Sequence, residues 1–209
     1  MRRAATENAV KRLDLIDFDL LHPKDLDKLL PPGAVHQGVA VQAEPLEPIE
    51  LEALIDGPAQ RLAVLDQLAD PHNLGAIFRS AAAFGVSGLI LQTRHSPPIT
   101  GIVAKSAAGA VETVAECRVV NIARALDALN DAGWTTIGLA GGGADKLSDA
   151  LVDADKVALV LGAEGEGLRP AVAKACERLA RIPIAADMES LNVSNAAAVA
   201  FYACSFGAF

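Results

Sequence analysis

Three short segments concentrate the residue types whose spacing could do chemistry. The first runs Asp70-Pro71-His72-Asn73-Leu74-Gly75 and continues to Arg79. Its pattern, Asn73-x-Gly75-x-x-x-Arg79, puts an amide beside a helix start and a guanidinium nearly two turns later. An Asn in that place serves as a helix N-cap. Arg79 lies between Phe78 and an Ala-rich run, so its charge points into a site or an interface and calls for an anionic partner. The second segment is Gly162-Ala163-Glu164-Gly165-Glu166-Gly167, whose glycines let backbone approach a ligand closely. A tight strand-to-helix turn would use the same glycines. Their order is neither GxGxxG nor GxxxxGK[ST], and Glu164 would repel a phosphate. The third segment is Ser190-Leu191-Asn192-Val193-Ser194-Asn195. Read alone these are capping residues, but so many polar groups at one helix start exceed what a cap requires and point to a ligand. Gly141-Gly142-Gly143 is a weaker flexible loop. No GxSxG elbow exists, His22, His36, His72 and His95 lack metal-ligand spacing, and Cys117, Cys176 and Cys204 form no CxxC pair. Neither a bound metal nor a disulfide framework is expected; the thiols read as buried and structural.

The elements that must hold these segments alternate from about Leu62 onward. Apolar runs predict strands over 62–66, 88–92, 117–120, 135–140, 157–162 and 180–184. Helices are predicted over 74–84, 100–110, 122–131, 168–176 and 193–206. Continuously apolar strands separated by helices indicate an α/β fold: a parallel sheet with helices on both faces. In such sheets ligands sit beyond the carboxyl ends of the strands, which is where the three segments fall. Residues 1–48 differ, with six basic and eight acidic residues and a Pro31-Pro32-Gly33 turn. Pro45, Pro48 and the surrounding glutamates read as a linker. So short a stretch reads as part of a small domain or as an arm.

Composition narrows the classes further. The chain has 209 residues, 52% hydrophobic but only 4% aromatic, with a formal net charge of −8. An interior built from small aliphatic residues is not that of a disordered chain, and an acidic balance argues against coating nucleic acid indiscriminately. The N-terminus has no apolar run after its two arginines, so a secretory signal is not expected and a cytoplasmic location is. The uncharged last 19 residues are long enough to span a bilayer, yet their Asn, Ser and Ala content predicts a buried helix instead.

Taken in order, N-x-G-x-x-x-R at 73–79, V-L-G-A-E-G-E-G-L at 160–168 and I-P-I…S-L-N-V-S-N-A-A-A at 182–198 resemble the SpoU (TrmH-type) branch of the SPOUT RNA 2′-O-methyltransferases. The resemblance covers residues 60–209 and is nearest the group that methylates a guanosine of 23S ribosomal RNA. His36-Gln37-Gly38, with TENAVKRL before it, resembles the end of that group's substrate-binding domain, which would be incomplete here. One departure is Asn195, where an apolar residue is more usual. The resemblance implies residues 1–48 as a partial RNA-binding domain or arm with linker, and residues 55–209 as the catalytic domain. It also implies a C-terminal trefoil knot, which general rules of chain topology would not have predicted, and a homodimer with the active site near the subunit interface.

The implied reaction transfers a methyl group from S-adenosylmethionine to a ribose 2′-hydroxyl. Implied catalytic residues are Arg79, Asn73, Glu164, Ser190 and Asn192. Implied cofactor contacts are Leu139, Ala140 and Gly141, Gly162, and Ile182, Ile184, Leu191, Asn192 and Ser194. Asn73 would hold Arg79, while Glu164, Ser190 and Asn192 would hold Arg79 or the ribose. The family proposal makes this Arg a general base, which its very high pKa opposes; binding phosphate and stabilising a developing alkoxide fit a guanidinium better. Glu164 is the one nearby carboxylate that could act as the base, and the resemblance leaves the choice between it and Arg79 open. Arg79, Arg94 and Lys105 are candidates for RNA contact, with Arg118 and Arg124 behind them. Transfer RNA is the second choice of substrate. A catalytically silent RNA-binding or ribosome-assembly protein on this fold, and a nicotinamide-dependent oxidoreductase, are the competing readings; the latter needs GxGxxG after the first strand, where DPHNLG stands.

Overall fold

A computed structural model describes residues 19, 21–30, 36 and 38–206. The chain divides into two units, Met1–Pro45 and Leu46–Phe209. In the first, helix α1 (Pro23–Leu29) starts at His22, whose side chain accepts from the Lys24 amide, and Lys28 pairs with Asp25 at 2.8 Å. His36 meets Asp27 at 3.0 Å. The TENAVKRL stretch, the Pro31-Pro32-Gly33 turn and Gln37 lie outside the described residues.

In the second unit the apolar runs become strands: β1 (Arg61–Leu65), β2 (Gly88–Gln92), β3 (Ala115–Val119), β4 (Thr135–Leu139), β5 (Asp145–Lys146), β6 (Val157–Leu161) and β7 (Arg178–Arg181). Among the described residues they form one sheet in the order β3-β2-β1-β6-β4-β7-β5. Every pairing is parallel. β2 and β6 are buried along their whole length, which is why they read as unbroken apolar runs rather than as alternating ones.

Alternate residues of each strand feed two cores. Ala63, Leu65, Leu89, Leu91, Leu159 and Leu161 face helices α3 (Pro71–Ala83), α4 (Gly101–Ala107), α6 (Leu147–Ala150) and α8 (Val193–Phe206). Leu62, Val64, Ile90, Ala158 and Val160 face α2 (Leu51–Ile55), α5 (Ile122–Asp131) and α7 (Pro170–Ala175). The period-two alternation of a strand is thus spent on two helix layers, one per face. α8 packs through Val193, Ala197, Ala200 and Phe201. No helix among the described residues is long and apolar enough to cross a membrane.

Three differences from the sequence reading bear on the site. The last strand ends at Arg181 rather than 184, so Ile182 onward has left the sheet. The pair of residues forming β5 carries no apolar signal and was not expected. The helix bearing Asn73 begins earlier than 74 and is capped by Asp70, whose side chain accepts from the His72 amide at 2.9 Å, with Pro71 in the first turn. Asn73 is therefore not the cap, and its amide is available for another partner.

Candidate active site

The connections that leave the carboxyl ends of β1, β6, β4 and β7 converge on one end of the sheet, where open parallel sheets hold their ligands. Asn192 joins them. Its Oδ1 accepts from the Ser194 amide (2.9 Å), the Ser194 hydroxyl (2.6 Å) and the Asn195 amide (3.4 Å), which caps α8. Its Nδ2 donates to Asn73 Oδ1 at 3.2 Å and to Glu164 Oε1. One side chain thereby uses both ends of its amide to tie the start of α3, the glycine loop after β6 and the start of α8 together. All three sequence segments meet at this point, although 119 residues separate Asn73 from Asn192. Ser190 lies exposed in the segment 182–192.

The glycine loop is closed on itself. Ala163 and Gly167 exchange backbone hydrogen bonds of 3.1 and 3.0 Å, and a Cβ on Gly162 would overlap the Gly167 main chain. Glu164 and Gly165 form its exposed tip. The segment after β4 makes a second close approach. β4 and β5 lie on opposite sides of β7, so residues 140–144 must cross it. The crossing is at Ala180: the Ala140 amide donates to Ala180 O at 2.9 Å, and a Cβ on Gly143 would come within 2.6 Å of the Ala180 carbonyl carbon. Arg181 locks this strap by donating from Nη1 to Gly143 O at 2.7 Å and to Ala144 O. Gly141 and Gly142, by contrast, face open space. Leu139, Ala140, Gly162, Ile182 and Leu191 are half-buried around these loops, and Ile184 and Met188 are exposed.

The structure does not bring Arg79 to this junction within one chain. Six residues turn a helix by about 600°, leaving Arg79 about 240° around α3 from Asn73. The expected support of Arg79 by Asn73 is therefore not made here; Asn73 turns to Asn192 instead. Arg79 is exposed beside a shallow hollow lined by Ala82, Ala107, Ala108, Gly109 and Thr113. Arg94, on the loop after β2, Lys105 on α4 and Arg124 on α5 are exposed. Arg118 is committed to structure: it pairs with Glu116 at 2.6 Å and donates to the carbonyls of Ser96 and Pro97, so it is withdrawn as an RNA contact.

One pair at the strand ends was missed from the sequence. Asp66, which follows β1, is buried and binds the guanidinium of Arg169, which follows the glycine loop, through Nε (2.9 Å) and Nη2 (2.5 Å). Bonding to Asp66 raises the Arg169 pKa above its ordinary value, against the opposing effect of burial. The available signal was a lone carboxylate at the end of an apolar strand and a lone cation after a glycine loop.

A doubly covered parallel α/β sheet that gathers a glycine loop, a glycine-bearing strap and an Asn-capped helix at the carboxyl ends of its strands is the class of protein these features define. Residues 60–202 match the SpoU rRNA Methylase family, and the chain belongs to that family. An uncharacterized tRNA/rRNA methyltransferase of Synechocystis is 43% identical over 81% of this chain, but the match covers 45% of that protein. The chain thus spans about half the length of the curated relatives it matches. The SpoU methyltransferase AviRb of Streptomyces viridochromogenes, in complex with AdoMet, superposes with a TM-score of 0.65 at 28% identity, covering 72% of this chain and 62% of that one. A structure concerned with the 2-OH methylation of C/U34 on tRNA gives 0.63 at 26% identity, covering 72% and 97%.

Proposed function

We infer that residues 55–209 form the catalytic domain of an S-adenosylmethionine-dependent RNA ribose 2′-O-methyltransferase. The observation that carries this is the Asn73–Asn192–Glu164 junction, which gathers three separate segments at the ligand end of the sheet. The residues present fit the cofactor. Gly141 and Gly142 leave open space on the strap, and the half-buried aliphatic side chains of Leu139, Ile182 and Leu191 offer an apolar bed for an adenine without an aromatic. Ala140, Gly162, Ile184 and Ser194 complete the set that would hold it. When bound, the group supplies an electrophilic methyl on a sulfonium.

The chain's own residues do the rest. Asn192 holds the Glu164 carboxylate at the exposed loop tip, where it accepts the proton of the ribose hydroxyl as the new O–C bond forms. Ser190 hydrogen-bonds the ribose. Arg79, a permanent cation, binds the neighbouring phosphate and stabilises charge growing on the ribose oxygen. Because Arg79 faces away from the junction of its own chain, a homodimer is the natural form, with a second copy supplying this guanidinium. The exposed Val199, Tyr202 and Phe206 of α8 provide apolar surface for such contact. The same reading makes the C-terminal end a trefoil knot. Its support is the strap over β7, past which the chain continues to α8.

A guanosine of large-subunit ribosomal RNA is the proposed substrate, with Arg94 and Lys105 adding phosphate contacts. Residues 1–48 serve as an RNA-binding arm or partial domain with its linker, in a cytoplasmic protein. Transfer RNA is the second reading, favoured by the C/U34-related structure, almost all of which is matched. Calorimetry separates the classes: S-adenosylmethionine is expected to bind and a nicotinamide dinucleotide is not. Binding of the dinucleotide alone, or of neither, sinks the methyltransferase reading.

A further inference from the structure

Next to the Asn192 junction stands an ion pair that the reaction itself does not use. The Asp66 side chain has no exposed surface, whereas that of Arg169 is 37% exposed. Among the described residues, every hydrogen bond to this carboxylate comes from Arg169: Oδ1 accepts from Nε (2.9 Å) and Nη2 (2.5 Å), and Oδ2 accepts from Nε (3.1 Å) and from the Arg169 main-chain amide (3.2 Å). Nη2 also reaches Gln92 Oε1 at 3.4 Å, at the end of β2. An ion pair whose carboxylate is wholly buried adds little net stability over an apolar pair of the same shape, but it fixes geometry because the buried carboxylate does not tolerate loss of its guanidinium. Here it fixes main chain as well as side chain, at the residue where the glycine loop hands over to α7.

That loop has few means of holding its own place. Gly162, Gly165 and Gly167 carry no side chains, and the two bonds between Ala163 and Gly167 close the loop on itself without tying it to the sheet. Among the described residues, side chains tie it to the end of β1 and the first turn of α3 at two points. Glu164 is held through Asn192 to Asn73, and Arg169 is held by Asp66.

We propose that Asp66 and Arg169 are positioning residues which clamp the Gly162–Gly167 loop to the end of β1. The clamp sets where Glu164 and the loop backbone meet cofactor and ribose. The role assigned to the loop rests on the methyltransferase reading; the clamp itself rests on the geometry above. Asp66→Asn keeps an acceptor but loses the charge, Arg169→Met loses the guanidinium, and Arg169→Lys keeps the charge and the main-chain bond.

The test uses the full chain and has two readouts. Amide hydrogen exchange at Ala163 and Gly167 is expected to quicken on the order of tenfold in Asp66→Asn and Arg169→Met, with β6 and α8 unchanged, and less in Arg169→Lys. The S-adenosylmethionine dissociation constant is expected to rise in the same order, about tenfold for the first two variants. Exchange that is unchanged, or that quickens equally throughout the sheet, overturns the clamp. A loosened loop with unaltered cofactor affinity overturns the positioning role. A wild-type protein that binds no S-adenosylmethionine refutes the methyltransferase reading, and the exchange data then still decide the clamp.

Discussion

Gly143→Ala separates a loop that merely carries three glycines from a strap that lies on β7. An added Cβ at position 143 would come 2.6 Å from the Ala180 carbonyl carbon, 2.9 Å from its Cα and 3.0 Å from its nitrogen. All three are main-chain atoms of a strand paired on both sides, so no rotamer change relieves the contact. The strap itself is held by Arg181 and by the Ala140–Ala180 bond, and cannot lift freely. Overpacking of this kind costs about 1–3 kcal/mol. Gly141→Ala and Gly142→Ala are the internal controls: nothing lies within 4 Å of a Cβ at either position, and neither has a positive φ. Their effect is expected within about 0.5 kcal/mol, the range of ordinary surface substitutions. Urea unfolding of the three variants without ligand reads the difference directly, and thermal melts should separate by about 2–4 °C per kcal/mol for a chain of this size. If Gly143→Ala is as mild as its two neighbours, the strap does not rest on Ala180, and the support for a threaded C-terminal end is lost.

The other expectations concern the junction, Arg79 and the thiols. Asn192→Ala should lose about 1 kcal/mol of stability as the α8 cap disappears. Asn192→Ser should keep most of that stability but lose methyl transfer as fully as Asn192→Ala; if the serine variant turns over normally, the ties to Asn73 and Glu164 are idle. Arg79→Ala is expected to leave melting temperature and S-adenosylmethionine affinity unchanged while abolishing transfer, with Arg79→Lys recovering RNA affinity before turnover; near-normal turnover of Arg79→Ala contradicts the assignment. Burial, helped by Glu50, Glu52 and Glu116, pushes the Cys117 thiol from an ordinary 9.0 up to about 11, and burial with Asp66 pushes Cys176 to about 12. A raised folded pKa means that this stability is complete below pH 9 and is lost as pH climbs toward 11. The loss is on the order of 2 kcal/mol for Cys117, and the drop in stability between pH 8 and pH 11 in urea unfolding should be smaller by that amount in Cys117→Ala.

The parallel, doubly covered character of the sheet was legible because its central strands are buried on both faces and so appear as unbroken apolar runs, but their order was not. The positions of α3, α4, α5, α7 and α8 followed from periodicity and stop signals, whereas the short helices α1, α2 and α6 were not expected. The three segments of the site were legible because their residue types exceed what turns and caps require. What escaped was set by contacts between distant residues. Asp66 and Arg169 lie 103 residues apart and neither belongs to a pattern. Two-residue β5 has no apolar face to signal it, and its existence depends on β7 arriving between it and β4. The cap of α3 was placed at Asn73 because Asn is a good cap, whereas Asp70 with Pro71 behind it is better placed, and this is what releases Asn73 for the site. Support of Arg79 by Asn73 was expected from the family resemblance, yet helix geometry sends the two side chains of one chain to different faces. Charge misled less than its sign suggests. A net −8 excludes indiscriminate coating of nucleic acid, and the exposed Arg79, Arg94 and Lys105 leave room for a local contact.

The most direct test is a map of ribose 2′-O-methylation across total RNA from cells with and without this protein, repeated with the Arg79→Ala variant restored. A methylated guanosine in large-subunit ribosomal RNA that disappears without the protein, and returns with wild type but not with Arg79→Ala, is the expected result. Loss of a transfer-RNA methyl instead would move the substrate to the second reading. An unchanged map in all RNA would contradict the assignment of a methyltransferase.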